Sequence, residues 1–177
     1  MKTFIFIVGR SRTGKSSMVR ALTGCWNDRY WKVKDLDGNQ ILALVLFSAI
    51  GERPKVSLGD FVNELEAQVK AKRGNEIQQN YDMIICPLRS NLRNGATWKY
   101  INSAKTLGYD VRVAGIEIDW EKNKIDLDEL EEKCKENNIP YLQLDTSEDY
   151  NIEARKLRLE FYPKKRSSLL QVQTSQV

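Results

Sequence analysis

The apolar run "TFIFIV", residues 3 to 8, leads directly into "GRSRTGKSS", Gly9 to Ser17, and the helix-forming "MVRALT" follows at once. Gly9-Arg10-Ser11-Arg12-Thr13-Gly14-Lys15-Ser16 matches G-x-x-x-x-G-K-[ST] in its required setting of a strand before and a helix after. This stretch constrains the chain more than any other. Gly9 and Gly14 allow a turn tight enough for successive N–H groups to converge on anionic oxygens. Lys15 adds a mobile positive charge, and the positive end of the following helix points the same way. The Ser16 hydroxyl is a small oxygen donor suited to Mg²⁺. Gly9, Arg12, Thr13, Gly14, Lys15, Ser16 and Ser17 are therefore the candidate phosphate-binding residues, with Ser16 also the candidate metal ligand.

Apolar runs alternate with helix-period segments along the rest of the chain, the pattern of an α/β protein with a mostly parallel sheet between two helical layers. Strands are expected at "TFIFIV", "ILALVLFS", "YDMIIC", "DVRVAGIEI" and "YLQL". Helices are expected at "KSSMVRALT", "LGDFVNELEAQVKAK", "ATWKYINSAKTL", "LDELEEKCKEN" and "IEARKLRLEF". Ser57 is a candidate cap for the second helix and Gly74 its stop, Asn94 or Thr97 can start the third, and Gly108 ends it. Only "DGNQ" separates "WKVKDL" from "ILALVLFS". Asp-Gly favours a tight hairpin turn, and a parallel crossover needs a dozen residues or more. These two segments should thus pair antiparallel, giving one antiparallel edge strand.

With 177 residues, 41% of them apolar, the chain suits one domain, assigned to residues 1–162. Residues 163–177 read as a polar, basic tail and a candidate handle for a protein partner. There is no histidine, so catalysis must use carboxylates, Lys, Arg, hydroxyls or a ligand-borne metal. Cys25, Cys86 and Cys134 form no Cys-x-x-Cys pair, which argues against a zinc site or a disulfide framework. The net charge of +4 falls to +1 without Lys164, Lys165 and Arg166, so nucleic acid is not strongly indicated. Lys2, Arg10, Arg12, Lys15, Arg20, Arg29, Lys32 and Lys34 concentrate positive charge at the start, which suits a phosphate ligand. No run is long enough to span a membrane and no signal peptide is recognisable, so a soluble, cytoplasmic protein is expected. Trp26 and Trp31 could stack on a base or a partner, although packing is the commoner role for such residues.

Over its first two dozen residues the chain resembles the P-loop NTPases. "GKSSMVRALTG" and the hairpin "VKDLDGNQILALVLFSAIGE" look like parts of Ras-like and translation-factor-like GTPases. The resemblance implies a three-layer P-loop fold, a bound ATP or GTP with Mg²⁺, and nucleoside triphosphate hydrolysis with Lys15 as a catalytic residue. Against that pattern, the family's Asp-x-x-Gly box is represented by Ser48-Ala49-Ile50-Gly51, and no threonine occurs between Thr23 and Thr97 to serve as a switch. Glu52 falls where many members place a water-positioning glutamine, and a carboxylate there could serve as general base. The base-reading Asn-Lys-x-Asp box has two registers. A literal copy stands at Asn123-Lys124-Ile125-Asp126, whereas counting from "VRVAG" puts Ile116-Glu117-Ile118-Asp119 at the box, with only Asp119 retained. A kinase is the alternative. "LDGN", Leu36 to Asn39, resembles the "LDGD" of adenylylsulfate kinases, and Arg89 and Arg93 could clamp phosphates after the strand "YDMIIC". A nucleotide-binding assembly module with little turnover is the third reading.

Overall fold

The computed structural model describes residues 1–52, 56–73, 80–147 and 149–163, apart from the side chains of residues 72, 73 and 93. Gly74, expected to stop the second helix, and residues 164–177 of the tail lie outside them. Six strands form one sheet: β1 (Thr3–Gly9), β2 (Arg29–Lys34), β3 (Gln40–Val45), β4 (Met83–Arg89), β5 (Asp110–Ile118) and β6 (Tyr141–Asp145), in the order β2-β3-β4-β1-β5-β6. Only β2 runs antiparallel to its neighbour. The helices are α1 (Lys15–Thr23), α2 (Phe61–Arg73), α3 (Ala96–Thr106), α4 (Asp128–Glu136) and α5 (Tyr150–Phe161).

The central strand β1 is buried along its whole length, as expected of a parallel strand covered on both faces. Its alternate side chains divide the core in two. Phe4, Phe6 and Val8 pack with Phe61, Leu65 and Val69 of α2, Ile101 of α3 and Cys134 of α4. Ile5 and Ile7 pack with Met18 and Leu22 of α1 and Ala154, Leu157 and Phe161 of α5. The result is a three-layer α/β domain in which α1, the helix after the β1 loop, lies beside α5.

The hairpin forms as its turn residues require, with Gly38 left-handed and Asp35 accepting from the Asn39 backbone N–H at 2.7 Å. Its tip lies at the far end of β3 from residue 47. Six residues at about 3.3 Å each put Asp37 roughly 20 Å from the loop after β1. Asp37 is thus a turn residue and too distant to serve a phosphate acceptor there. Helix α2 begins later than Ser57, and the Glu64 carboxylate reaches back to accept from the Ser57 N–H at 2.8 Å. Neither Asn94 nor Thr97 caps α3. Gly95 precedes the helix in a left-handed conformation, and the Thr97 hydroxyl donates to the Arg89 carbonyl at 2.8 Å, tying α3 to the end of β4. Gly108 closes that helix as expected.

The placement of β4 between β3 and β1 was not readable from sequence order. After β3 the chain continues along β4, with the Leu46 N–H on Ile85 O and the Ile50 N–H on Pro87 O, each at 2.9 Å. This path brings residues 47–52 to the carboxyl end of the sheet, beside the loop that follows β1. Ligands of open α/β sheets bind at that edge. Among the described residues, no helix is long and apolar enough to cross a membrane.

Candidate functional site

The loop after β1 is built by backbone conformation first. Gly14 is left-handed at φ 91°, a conformation that favours glycine, and a Cβ there would lie 2.2 Å from Tyr150 Oη and push that side chain aside. The first helical bond of α1 runs from the Met18 N–H to Gly14 O, which leaves the N–H groups of Lys15, Ser16 and Ser17 without partners inside the helix. Such a terminus attracts anions.

The loop side chains fall into two groups. Thr13 is buried, and its hydroxyl donates to Arg10 O at 3.0 Å; its carbonyl accepts from the Thr146 hydroxyl at 3.1 Å. Thr13 therefore braces the loop. Lys15, Ser16 and Ser17 face a cleft of about 630 Å³ whose lining also includes Glu52, Trp120 and Tyr150. The Lys15 side chain is only 4% exposed, and its ammonium donates to Arg10 O and lies 3.9 Å from Glu52 Oε1. Burial pushes the Lys15 pKa down; Glu52 opposes the shift and Arg89 adds to it.

Glu52 reaches this position through a turn closed by its N–H on Ala49 O at 2.9 Å. Gly51 sits in that turn at φ 100°, where a Cβ would meet Leu92 Cδ2 at 2.6 Å and Arg89 Cδ at 2.9 Å. Arg89 is paired in register with Gly9, and its Nη1 lies 3.5 Å from Gly51 O. Of the distant candidates, Glu52 thus meets Lys15, and Arg89 lies against the turn that carries Glu52. Arg93 lies in the 3-10 turn Arg93–Gly95, and its side chain is outside the described atoms.

The Ser16 hydroxyl donates to Phe47 O at 3.0 Å, and the Phe47 N–H donates to the Asp28 carboxylate at 2.7 Å. Asp28 is 3% exposed. Hard oxygen donors therefore gather where α1 meets the end of β3, a chemistry that fits Mg²⁺. Among the described residues, no group of three or more His, Cys, Asp or Glu side chains could hold a metal ion, so a divalent ion would depend on oxygens of a ligand as well.

The residues of the two base-box registers meet in one small loop without forming a reading edge. The Asp119 carboxylate accepts from the Glu121 and Asn123 N–H groups, both at 2.9 Å, and from Asn123 Nδ2 at 3.1 Å. Lys124 pairs with Ile118 across the loop, and Asp126 accepts from the Asp128 N–H at 3.1 Å, ahead of α4. Glu117 is buried at a β-bulge and accepts from Tyr141 Oη at 3.0 Å and from Gln143 Nε2. Trp26 and Trp31 are 61% and 38% exposed and carry the guanidinium groups of Arg20 and Arg29 on their rings.

Trp120, Tyr150, Thr146 and Asp28 were missed in the sequence. Trp120 does follow Asp119 directly, and Thr146 lies in "DTSED" at the end of β6. Tyr150 and Asp28 gave no local signal, because their roles come from contacts with Gly14 and Phe47.

No protein-family model matches the chain, and no curated protein matches it. Among solved structures it is similar to the FeoB G-domain from Methanococcus jannaschii, at 18% identity over 90% of this chain and 96% of that one, with a TM-score of 0.48. It is similar to an Era variant from Aquifex aeolicus bound to GDP.AlF4-, at 19% identity over 93% of this chain and 58% of that one, with a TM-score of 0.47. A de novo designed protein of the PLOOP2X3_50 fold aligns at 13% identity over 90% of each chain, with a TM-score of 0.45. At these identities the likeness concerns the fold alone.

Proposed function

We propose that this domain binds a purine nucleoside triphosphate, ATP or GTP, with Mg²⁺ at Gly9–Ser17 and hydrolyses it. One observation carries the reading: a lysine 4% exposed faces the cleft at the free N-terminus of α1, its ammonium resting on a carbonyl of its own loop. A buried cation held this way suits an incoming polyanion, because charged groups are rarely buried without partners. Arg12, Thr13 and Gly14 shape the loop, and Lys15, Ser16 and Ser17 present donors to the phosphates. Ser16 would hold the metal, which on binding neutralises charge on the phosphate oxygens. Lys15 and the loop amides stabilise charge on the transferring group, since positioning and electrostatics dominate phosphoryl transfer. Glu52 would accept a proton from attacking water, a role supported by its 37% exposure and its position 3.9 Å from Lys15.

The location of Arg89 favours a second reading, in which the phosphoryl group passes to a hydroxyl acceptor clamped by this guanidinium. Phosphate release from ATP and GTP, measured with and without hydroxyl acceptors, separates the two. Acceptor-independent release that Glu52→Gln abolishes supports hydrolysis, and labelled phosphate on the acceptor supports transfer. Tight binding with neither supports a binding module, whose partner could attach through the tail at 163–177. Lys15→Ala should remove most triphosphate affinity by calorimetry; unchanged binding would sink the phosphate-cradle assignment.

A further inference from the structure

Two aromatic side chains line the cleft beside the phosphate loop, and the proposed hydrolysis uses neither. Trp120 follows β5 and is 56% exposed, yet it is anchored, because its indole N–H donates to Arg12 O at 3.0 Å. Arg12 adopts φ 62°, a left-handed conformation uncommon outside glycine. Tyr150 opens α5 and closes on Gly14 from the other side, where a Cβ on that glycine would meet its Oη at 2.2 Å and its ring carbons at 3.1 Å. Both rings line the cleft together with Lys15, Ser16 and Ser17. Leaving a large indole in solvent while fixing its position has a cost, and a flat, apolar ligand face would offset it.

Several polar side chains around this rim bond within their own loops. Asp119 is bonded to Asn123. Ser147 donates to Asp145 at 2.6 Å, and Asp149 accepts from Asn151 at 2.8 Å as the cap of α5. Asn123 in turn donates to Asp119 and Glu121, and Asp126 accepts from the Asp128 N–H, so these loops spend much of their polar capacity on themselves. We propose that the nucleotide base is held by its face, stacked on Trp120 and Tyr150, and not by its edge, so that ATP and GTP bind alike. Every base has a π-face, and stacking is correspondingly tolerant of base identity. The inference rests on the phosphate-site reading above.

The test uses the full chain and three ligands: ATP, GTP and inorganic tripolyphosphate, each titrated with Mg²⁺ and followed by calorimetry and tryptophan emission. The expected result has ATP and GTP within about fivefold of each other and both tighter than tripolyphosphate. Trp120→Ala should weaken both nucleotides about tenfold or more and leave tripolyphosphate unchanged. Trp120→Phe should restore most of the loss, and Asp119→Asn should leave the GTP to ATP ratio where it was. Wild-type tripolyphosphate binding as tight as ATP would overturn the stacking proposal while the cradle stands. An equal loss for all three ligands in Trp120→Ala would also overturn it, by showing that the indole only braces Arg12. A GTP preference above about fiftyfold that Asp119→Asn removes would restore edge reading. Failure of all three ligands to bind the wild type would remove both this inference and the phosphate-site reading.

Discussion

The two sides of the cleft are built on opposite principles. On the phosphate side, ionic groups are held in reserve: Lys15 rests on its own loop near Glu52, and the first N–H groups of α1 have no helical partners. On the side formed by the loops after β5 and β6, polar groups satisfy one another within their own loops, and what is left facing the cleft is ring surface. The first arrangement suits a charged ligand that displaces weak internal contacts. The second suits a flat group that needs no displacement. Thr146 joins the two, its hydroxyl sharing one proton between Thr13 O at 3.1 Å and Ile118 O at 3.0 Å.

The largest expected effect on this contrast comes from Gly14→Ala. It forces a Cβ into φ 91° and onto Tyr150, so it should distort both sides at once. Triphosphate affinity should fall more than about a hundredfold, which a strained backbone costing about 1–3 kcal/mol makes reasonable where it also displaces the loop amides. Calorimetry and thermal unfolding measure the two consequences. If Gly14→Ala binds normally, the tight closure of Tyr150 on the loop has no functional weight.

Lys15 gives the next test, because its charge is a cost to the folded protein and an asset to binding. Burial lowers its pKa, so the unfolded chain holds this proton more tightly than the folded one. The penalty is therefore fully present below the lowered pKa and is relieved as pH rises through it. Lys15→Met should abolish triphosphate binding and leave the melting temperature unchanged or higher. A phosphate ligand restores the ammonium, so wild-type affinity should fall with rising pH and begin to do so below the ordinary lysine range. Glu52→Gln removes the charge that holds the pKa up and should move that fall to lower pH. A flat affinity profile would show that Lys15 does not meet the phosphates.

Gly51→Ala should act on Glu52 and on the Arg89 side chain packed against its turn. With φ 100° and two side chains within 3.0 Å of the new Cβ, the turn should shift and cost about 1–3 kcal/mol of stability. Turnover should drop while nucleotide affinity stays within a few-fold, and equal losses in both would show that Glu52 is not specific to the chemical step. The smallest effect is expected from Thr146→Val. Loss of its hydroxyl bonds should cost on the order of 1 kcal/mol and weaken nucleotide binding more than tripolyphosphate binding, because it loosens the joint between the two sides.

Much of the fold could be read along the chain because its determinants are local. Continuous apolar runs specify buried strands, and Asp37-Gly38 specifies the antiparallel hairpin. The two-glycine loop around Lys15 needs only its neighbours in sequence to be recognised. The helix starts were read less well, since Ser57 and Thr97 use their side chains and backbone for longer ties and do not cap α2 and α3. The base-box alternatives at Asn123–Asp126 and at Asp119 had no solution in sequence. A tetrapeptide carries no information about which groups its loop will consume.

By itself, then, the sequence determined the α/β class, the single antiparallel edge strand and a loop shaped to present N–H groups and a lysine to an anion, because each depends on contacts within a few residues. Only the tertiary structure decided that β4 lies between β3 and β1, that Glu52 meets Lys15 with Arg89 against its turn, and that Trp120 and Tyr150 close on Arg12 and Gly14. Those contacts join residues far apart in the chain. They follow from burying both faces of β1 beneath helices, and that packing is settled only when the whole sheet assembles.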